Sequence, residues 1–125
     1  MNNPSNLKYA KSDEWFDPST GAVGISDYAQ GQLSDIVFVE ILVDEGEEVN
    51  VGKAIASVES VKASSEIYAP VAGKVTAVNK DLSNTPETIN TDPYGAAWMI
   101  KIDGSASADL MDAAAYETHC AGRSH

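Results

Sequence analysis

The chain has 125 residues, with 8 Lys or Arg against 19 Asp or Glu, and a formal net charge of −11 at pH 7. With 43% hydrophobic and 22% charged residues, it fits one folded domain with a modest core and excludes wholesale disorder. The acidic balance argues against nucleic acid and anionic membrane as partners, since phosphates would be repelled, and it permits basic protein surfaces.

The opening Met1-Asn2-Asn3-Pro4-Ser5-Asn6 has neither a basic n-region nor an Arg-rich amphipathic character. Residues 1–6 are expected to be a flexible tail. The expected location is the bacterial cytoplasm, or the mitochondrial matrix for a processed chain. Ser26 or Asp27 can cap a short helix over 28–33. Residues 36–43, Ile36-Val37-Phe38-Val39-Glu40-Ile41-Leu42-Val43, are rich in β-branched and aromatic residues and too short for a typical helix. They predict a well-buried strand. Asp44-Glu45-Gly46-Glu47-Glu48 reads as a polar turn. Residues 49–51 are again extended, and 54–61 form a strand whose largest apolar members are Ile55, Val58 and Val61. Residues 65–69 form another, ended by Pro70, which lacks a ladder donor. Gly73 opens a strand over 74–78. Thr85-Pro86-Glu87 has the order of a helix start: a cap, a proline at the first position and an acid near the dipole. The last clear strand is 97–102. An alanine-rich run over 109–116, with Leu110, Met111 and Ala114 on one side, predicts a C-terminal helix. Residues 118–125 read as a second flexible tail. Cys120 is the only cysteine, so no intrachain disulfide forms and a reducing compartment is expected. No stretch approaches the roughly 20 apolar residues of a membrane span.

Short strands at turn-punctuated spacing predict a mostly β fold, a small sandwich or flattened barrel with a few short helices. The core is expected over about residues 7–117 of a single domain. The sequence also echoes itself. Asp35-Ile36-Val37-Phe38-Val39 resembles Lys74-Val75-Thr76-Ala77-Val78, and Val51-Gly52-Lys53-Ala54-Ile55-Ala56 resembles Tyr94-Gly95-Ala96-Ala97-Trp98-Met99. Two such β-units, packed face to face, would bury the apolar faces that each leaves exposed alone.

Of the seven lysines, Lys62 stands apart by context. It falls between two predicted strands, at the tip of a tight hairpin, where its amine projects far from the body. A lysine-modifying enzyme needs that access and a tethered swinging cofactor needs that reach. An ordinary solvated lysine satisfies the same position. Other signals carry less. The acidic run 44–48 lacks the alternating oxygen ligands and distal glutamate of a calcium loop. His119, Cys120 and His125 lack zinc spacing, and no nucleophile constellation can be built from them. Trp15 and Trp98 are assigned to the core.

The string 56–75 around Lys62, Ala56-Ser57-Val58-Glu59-Ser60-Val61-Lys62-Ala63-Ser64-Ser65-Glu66-Ile67-Tyr68-Ala69-Pro70-Val71-Ala72-Gly73-Lys74-Val75, closely resembles the lipoyl-lysine region of the glycine cleavage system H protein family. Lys8-Tyr9-Ala10-Lys11-Ser12-Asp13-Glu14-Trp15 resembles that family's K-Y-x-x-S-H-E-W. Val23-Gly24-Ile25-Ser26-Asp27-Tyr28-Ala29-Gln30 and Leu33-Ser34-Asp35-Ile36-Val37-Phe38-Val39-Glu40 resemble V-G-I-T-D-Y-A-Q and L-G-D-I-V-F-V-E. Asn90-Thr91-Asp92-Pro93-Tyr94-Gly95 and Trp98-Met99-Ile100-Lys101-Ile102 resemble N-x-D-P-Y-G and W-[ML]-I-K-I. The blocks run in order from about Lys8 to Tyr116.

The resemblance implies a lipoyl-domain sandwich of two antiparallel sheets with an internal pseudo-twofold. It implies lipoate in amide linkage to Lys62. Biotin carriers share the fold but usually flank their lysine with methionines, whereas Val61 and Ala63 flank Lys62. Lipoyl domains of dehydrogenase complexes usually show D-K-A, and Val61 replaces that Asp. The implied role is that of a non-catalytic, monomeric carrier. It would take the aminomethyl group of glycine from a pyridoxal-phosphate decarboxylase to a folate-dependent aminomethyltransferase. Dihydrolipoamide dehydrogenase would then reoxidise it. Lipoate-attaching enzymes are further implied partners. A lipoyl relay to other complexes and an unmodified regulatory module that keeps the fold are the competing readings.

The resemblance also implies roles around the arm. Glu14 maps to the glutamate that holds the loaded arm, where a carboxylate would face a cationic amine. Gln32 lies where some members carry an arm-contacting histidine. Glu59, Ser60, Val61, Ala63 and Glu66 surround the hairpin as recognition candidates. Three departures are visible. Asp13 replaces the usual His, 21–23 is compressed, and 40–46 is one residue longer, which implies an altered hairpin loop.

Overall fold

The computed structural model describes residues 3–104 and 110–122. Among these, β1 (Lys8–Tyr9), β2 (Glu14–Phe16) and β3 (Ala22–Ile25) precede α1 (Asp27–Leu33). Then come β4 (Ile36–Ile41), β5 (Glu48–Val49), β6 (Ala54–Ser60), β7 (Ser64–Tyr68) and β8 (Gly73–Val78). A 3-10 helix (Lys80–Asn84) and α2 (Thr88–Thr91) lead to β9 (Ile100–Asp103), and α3 (Ala113–Ala121) follows. The strands form two antiparallel sheets, one ordered β1-β2-β3-β9-β8-β5 and the other β4-β6-β7. The expected β-sandwich with a few helices, one of them C-terminal, is what the chain adopts.

The internal echo corresponds to real topology. β4 pairs with β6, and its counterpart β8 pairs with β9. After β4 the chain crosses to the opposite sheet, where β5 pairs with β8. After β8 it crosses back, and Ser83 Oγ on the 3-10 helix donates to the Val39 carbonyl on β4 at 3.0 Å. Each half therefore completes the other's sheet, and neither buries its apolar face alone. The segment after β4 is thus a crossover and not the hairpin loop that its extra residue implied.

Several sequence expectations shift. Residues 36–43 are not buried throughout: Val37 is 55%, Phe38 45% and Leu42 42% exposed. The register slips between Ile36 and Phe38, a bulge that turns two consecutive apolar side chains out of the core. The last strand starts only at Ile100, because Ala97 still belongs to the 93–97 turn; Asn79, whose side-chain amide donates to the Trp98 carbonyl at 2.7 Å, holds the segment between turn and strand. Residues 85–87 lie in a turn before α2, and Glu87 makes no side-chain cap. The three N-terminal strands escape the periodic reading because they have two, three and four residues.

Two cores hold the molecule. The larger lies between the sheets and includes Val39, Ile55, Val58, Ile67 and Val75. The smaller joins Leu7, Tyr9, Trp15 and Ala22 to Tyr116 and Cys120 of α3. The Tyr9 and Tyr116 rings stack at 4.6 Å with an interplanar angle of 7°. The C-terminal region therefore differs from the tail expected at 118–125. Asp112 caps α3 by accepting from the Ala115 N–H, so the helix starts at Ala113 and runs on through Cys120, which is buried. Ala114 is exposed, Met111 bridges to Tyr9, and the expected start at Asp109 lies outside the described residues. At the other end, Tyr9 OH donates to the Pro4 carbonyl at 2.7 Å, which ties down part of the expected N-terminal tail. Trp15 is a core residue, whereas Trp98 is only half-buried, with Lys101 Nζ 5.2 Å from its ring centroid.

Candidate functional site

Lys62 is the middle one of the three residues that connect β6 to β7, and it is exposed. The Ser60 N–H donates to the Ala63 carbonyl at 2.7 Å and closes the turn. Hairpin loops of this length usually need a positive φ, yet among the described residues only Asp13 and Ser34 show one outside glycine. Ser60 compensates: its Oγ accepts from the Ala63 N–H at 3.0 Å and from the Lys62 N–H at 3.3 Å. The Val61 N–H donates to the Asp35 carbonyl at 3.1 Å, which pins the tip to the start of β4. Val61 itself is 66% exposed. Lys62 pairs with no carboxylate among the described residues. Its amine is presented on a braced tip.

A cleft of about 210 Å³ opens beside this hairpin, between α1 and β7. Ile25, Ala29 and Ile67 give it an apolar floor. Gln32 on α1 and Glu66 on β7 are exposed residues on its rim, and Ser12 and Asp13 also line it. Ser65 to Ile67 lie three to five residues beyond Lys62, about 10–17 Å along an extended strand. A lysine extended by a lipoyl chain spans about a dozen bonds near 1.5 Å in zigzag, roughly 15 Å. The cleft is within its reach.

The wall formed by α1 is set by residues distant in sequence. Ser26 caps it, accepting from the Ala29 N–H at 3.1 Å. The Asp27 N–H donates to Tyr94 OH at 2.8 Å. Asn90 donates through its amide to Gln30 Oε1 and the Ser34 carbonyl, and accepts from the Ile36 N–H at 2.9 Å. Trp15 Nε1 donates to the Pro93 carbonyl at 3.0 Å. The 90–95 block is therefore scaffolding for the cleft.

Glu14 lies behind the cleft and is 1% exposed. Ser12 Oγ donates to its Oε1, and the Tyr68 N–H donates to its Oε2 at 3.0 Å. The carboxylate thus joins β2 to β7, across the two sheets. Burial pushes its pKa up to about 7, against the hydrogen bonds from Ser12 and Tyr68, with the Asp13 charge adding a smaller rise. The site brings Gln32 and Glu66 together, while Glu14 stands one hydrogen bond away, through Ser12. Glu59 is elsewhere: with Ser57, Ser64 and Glu66 it borders a shallow groove on the outer side of the small sheet. Ser12 and Asp13 were missed as cleft residues, although both adjoin Glu14 in the sequence. Among the described residues no group of side chains could hold a metal ion.

The comparisons with known proteins agree on one family. A family model described as Glycine cleavage H-protein matches residues 7–122. The glycine cleavage system H protein of Deinococcus radiodurans is 54% identical over 114 residues, covering 91% of this chain and 93% of the relative. That of Acidobacterium capsulatum is 53% identical over 119 residues, covering 91% of this chain and 91% of the relative. The crystal structure of a glycine cleavage system H protein from Mycobacterium marinum is similar with a TM-score of 0.83 at 35% identity, over 92% of this chain and 96% of that one.

Proposed function

The chain belongs to the glycine cleavage H-protein family, and from that premise we propose that Lys62 is its lipoyl-attachment site. Members of the family are lipoyl-bearing carrier components of a multienzyme system rather than enzymes. The proposed duty is to carry the aminomethyl group of glycine from the pyridoxal-phosphate decarboxylase to the folate-dependent aminomethyltransferase. Dihydrolipoamide dehydrogenase then restores the carrier. The bacterial sources of the relatives support a cytoplasmic setting.

The observation that carries the reading is the exposed Lys62 amine on a braced hairpin tip, beside a cleft of matching reach. When bound, lipoate supplies disulfide–dithiol chemistry that no side chain here provides. The protein's own residues present, receive and recognise. Ser60 fixes the tip, so that Lys62 offers its amine to an attaching enzyme. The floor of Ile25, Ala29 and Ile67 matches an apolar chain. Gln32 offers a neutral hydrogen bond and Glu66 a carboxylate at the rim. Ser12 spends its proton on Glu14, which leaves its oxygen free to accept from the cleft side. Glu14 acts through Ser12 rather than by direct contact. Glu59, Val61 and Ala63 stand on or near the tip, where an attaching enzyme or partner would read them.

Intact-mass spectrometry after incubation with a lipoate ligase tests the assignment. One lipoyl adduct is expected on the wild type and none on Lys62→Arg. An adduct on another lysine, or none with an active ligase, would sink it.

A further inference from the structure

We infer that Val37 and Phe38, which the bulge in β4 turns outward beside Val61, are the apolar anchor that seats the enzyme acylating Lys62, in an apolar pocket of that enzyme with a basic rim. The inference rests on the lipoyl-carrier reading.

An unbroken alternation over β4 would send Val37 inward with Val39 and leave Phe38 outward by itself. The register slip between Ile36 and Phe38 instead exposes both Val37 and Phe38, between the buried Ile36 and Val39. Across the strand pair, Ile36 faces Ser60 and Phe38 faces Glu59. The Val61 N–H donates to the Asp35 carbonyl at 3.1 Å, so the exposed Val61 lies against the start of β4. Phe38 therefore stands roughly 10 Å from Lys62 along the sheet, with the bulge and Val61 between them. Asp35, Glu40 and Glu59 are exposed around these side chains, and among the described residues no salt bridge neutralises them. An apolar centre within a charged rim has the anatomy of a protein interface.

Reach selects the occupant. The bare lysine side chain spans five bonds, about 6 Å from Cα to Nζ. In its acylation the neutral Lys62 amine forms an amide bond to the carbonyl carbon of an activated lipoyl donor. The donor's activating group leaves with the bonding pair, and the nitrogen releases one proton. The enzyme must bring that donor within the lysine's short reach, so its surface comes to rest on the residues around the tip. The large apolar side chains exposed there are Val37, Phe38 and Val61. After acylation the reacting end of the arm lies roughly 15 Å out, and partners that serve it need no contact with this patch. Charge agrees with that choice. The acidic rim, on a chain of net charge −11, fits an enzyme face with Lys or Arg around an apolar pocket.

The test measures KM and kcat of a lipoate ligase for the unlipoylated wild type and for Phe38→Thr, Phe38→Tyr and Val51→Thr. Phe38→Thr removes the ring and keeps a strand-forming residue at an exposed position. It is expected to raise KM about five- to thirtyfold with kcat unchanged, the usual effect of deleting an aromatic anchor. Phe38→Tyr keeps the ring and should restore most of the loss. Val51→Thr alters another exposed apolar side chain, outside the patch, and should change neither constant. Val37→Thr, with a smaller rise in KM expected, carries the test if Phe38→Thr fails to fold. Each variant, once fully lipoylated, should support glycine-dependent CO₂ exchange by the decarboxylase at the wild-type rate. An unchanged KM for Phe38→Thr, or a fall confined to kcat, overturns the inference. Equal losses in ligation and in exchange overturn the choice of occupant, because the patch would then serve every partner. A wild type that takes no lipoyl group on Lys62 from an active ligase overturns the carrier reading itself.

Discussion

Glu14 shows how a single residue links the fold to the site. Its carboxylate is buried between the sheets, bonded to Ser12 and to the Tyr68 N–H. Burial lifts its pKa from 4.5 to about 7, so the folded state binds this proton more tightly than the unfolded chain. Its contribution to stability is therefore greatest below pH 4.5 and is lost as pH rises towards 7. Glu14→Gln keeps a buried amide in the same space and has no proton to lose. Between pH 4.5 and 7.5 the wild type should lose about 3 kcal/mol relative to this variant, read from urea midpoints at each pH. Parallel pH profiles for the two proteins would contradict the assignment. The place of Lys62 at a hairpin tip was legible because strand patterns flank it on both sides, whereas its proposed role came from the resemblance of the 56–75 string, since an ordinary solvated lysine fits the same place. Glu14 was not, because it lies in the polar string Lys11-Ser12-Asp13-Glu14 and is buried only when β2 meets β7. Glu14 itself does not line the cleft, whereas its hydrogen-bond partner Ser12 does.

The elements position the site by long-range contacts. The β6–β7 hairpin was readable from its two apolar runs and the small residues between them. Helix α1 was readable from Ser26 and its short pattern, but not the reason for its placement. That reason lies in Asn90, Pro93, Tyr94 and Tyr116, each more than 50 residues away in sequence. Trp15 shows the dependence. Its indole lies over Gly24, its cross-strand partner, while Nε1 reaches the Pro93 carbonyl. A Cβ on Gly24 would stand 2.8 Å from Trp15 Nε1. Gly24→Ala should therefore cost about 1–3 kcal/mol of stability by overpacking, measurable by thermal or urea unfolding. Unchanged stability would mean that the Trp15 contact is slack. The short strands β1 to β3 and the 3-10 helix were invisible to periodicity, since two to five residues cannot display a period. The C-terminal helix was legible in kind but displaced, because its true cap is Asp112 and its buried face is Tyr116 with Cys120.

At the scale of the whole molecule, two β-units complete each other's sheets, and the Lys62 hairpin tip, the proposed attachment site, protrudes at one end of the smaller sheet. The outer side of that sheet carries exposed Phe38 opposite Glu59, and Glu40 opposite Ser57 with Glu66 beyond. This places part of the net charge of −11 next to Lys62, on a surface suited to brief encounter with basic partners. The charge was readable from composition, and its placement was not, because the bulge that exposes Phe38 exists only in the paired strand. A carrier of this kind stands or falls on one lysine. The most direct test is glycine-dependent exchange of labelled CO₂ by the decarboxylase, with ligase-treated wild type and Lys62→Arg as carriers. Exchange is expected with the wild type, and loss to the carrier-free background with Lys62→Arg. Exchange sustained by Lys62→Arg, or none from a wild type that bears the lipoyl group, would contradict it.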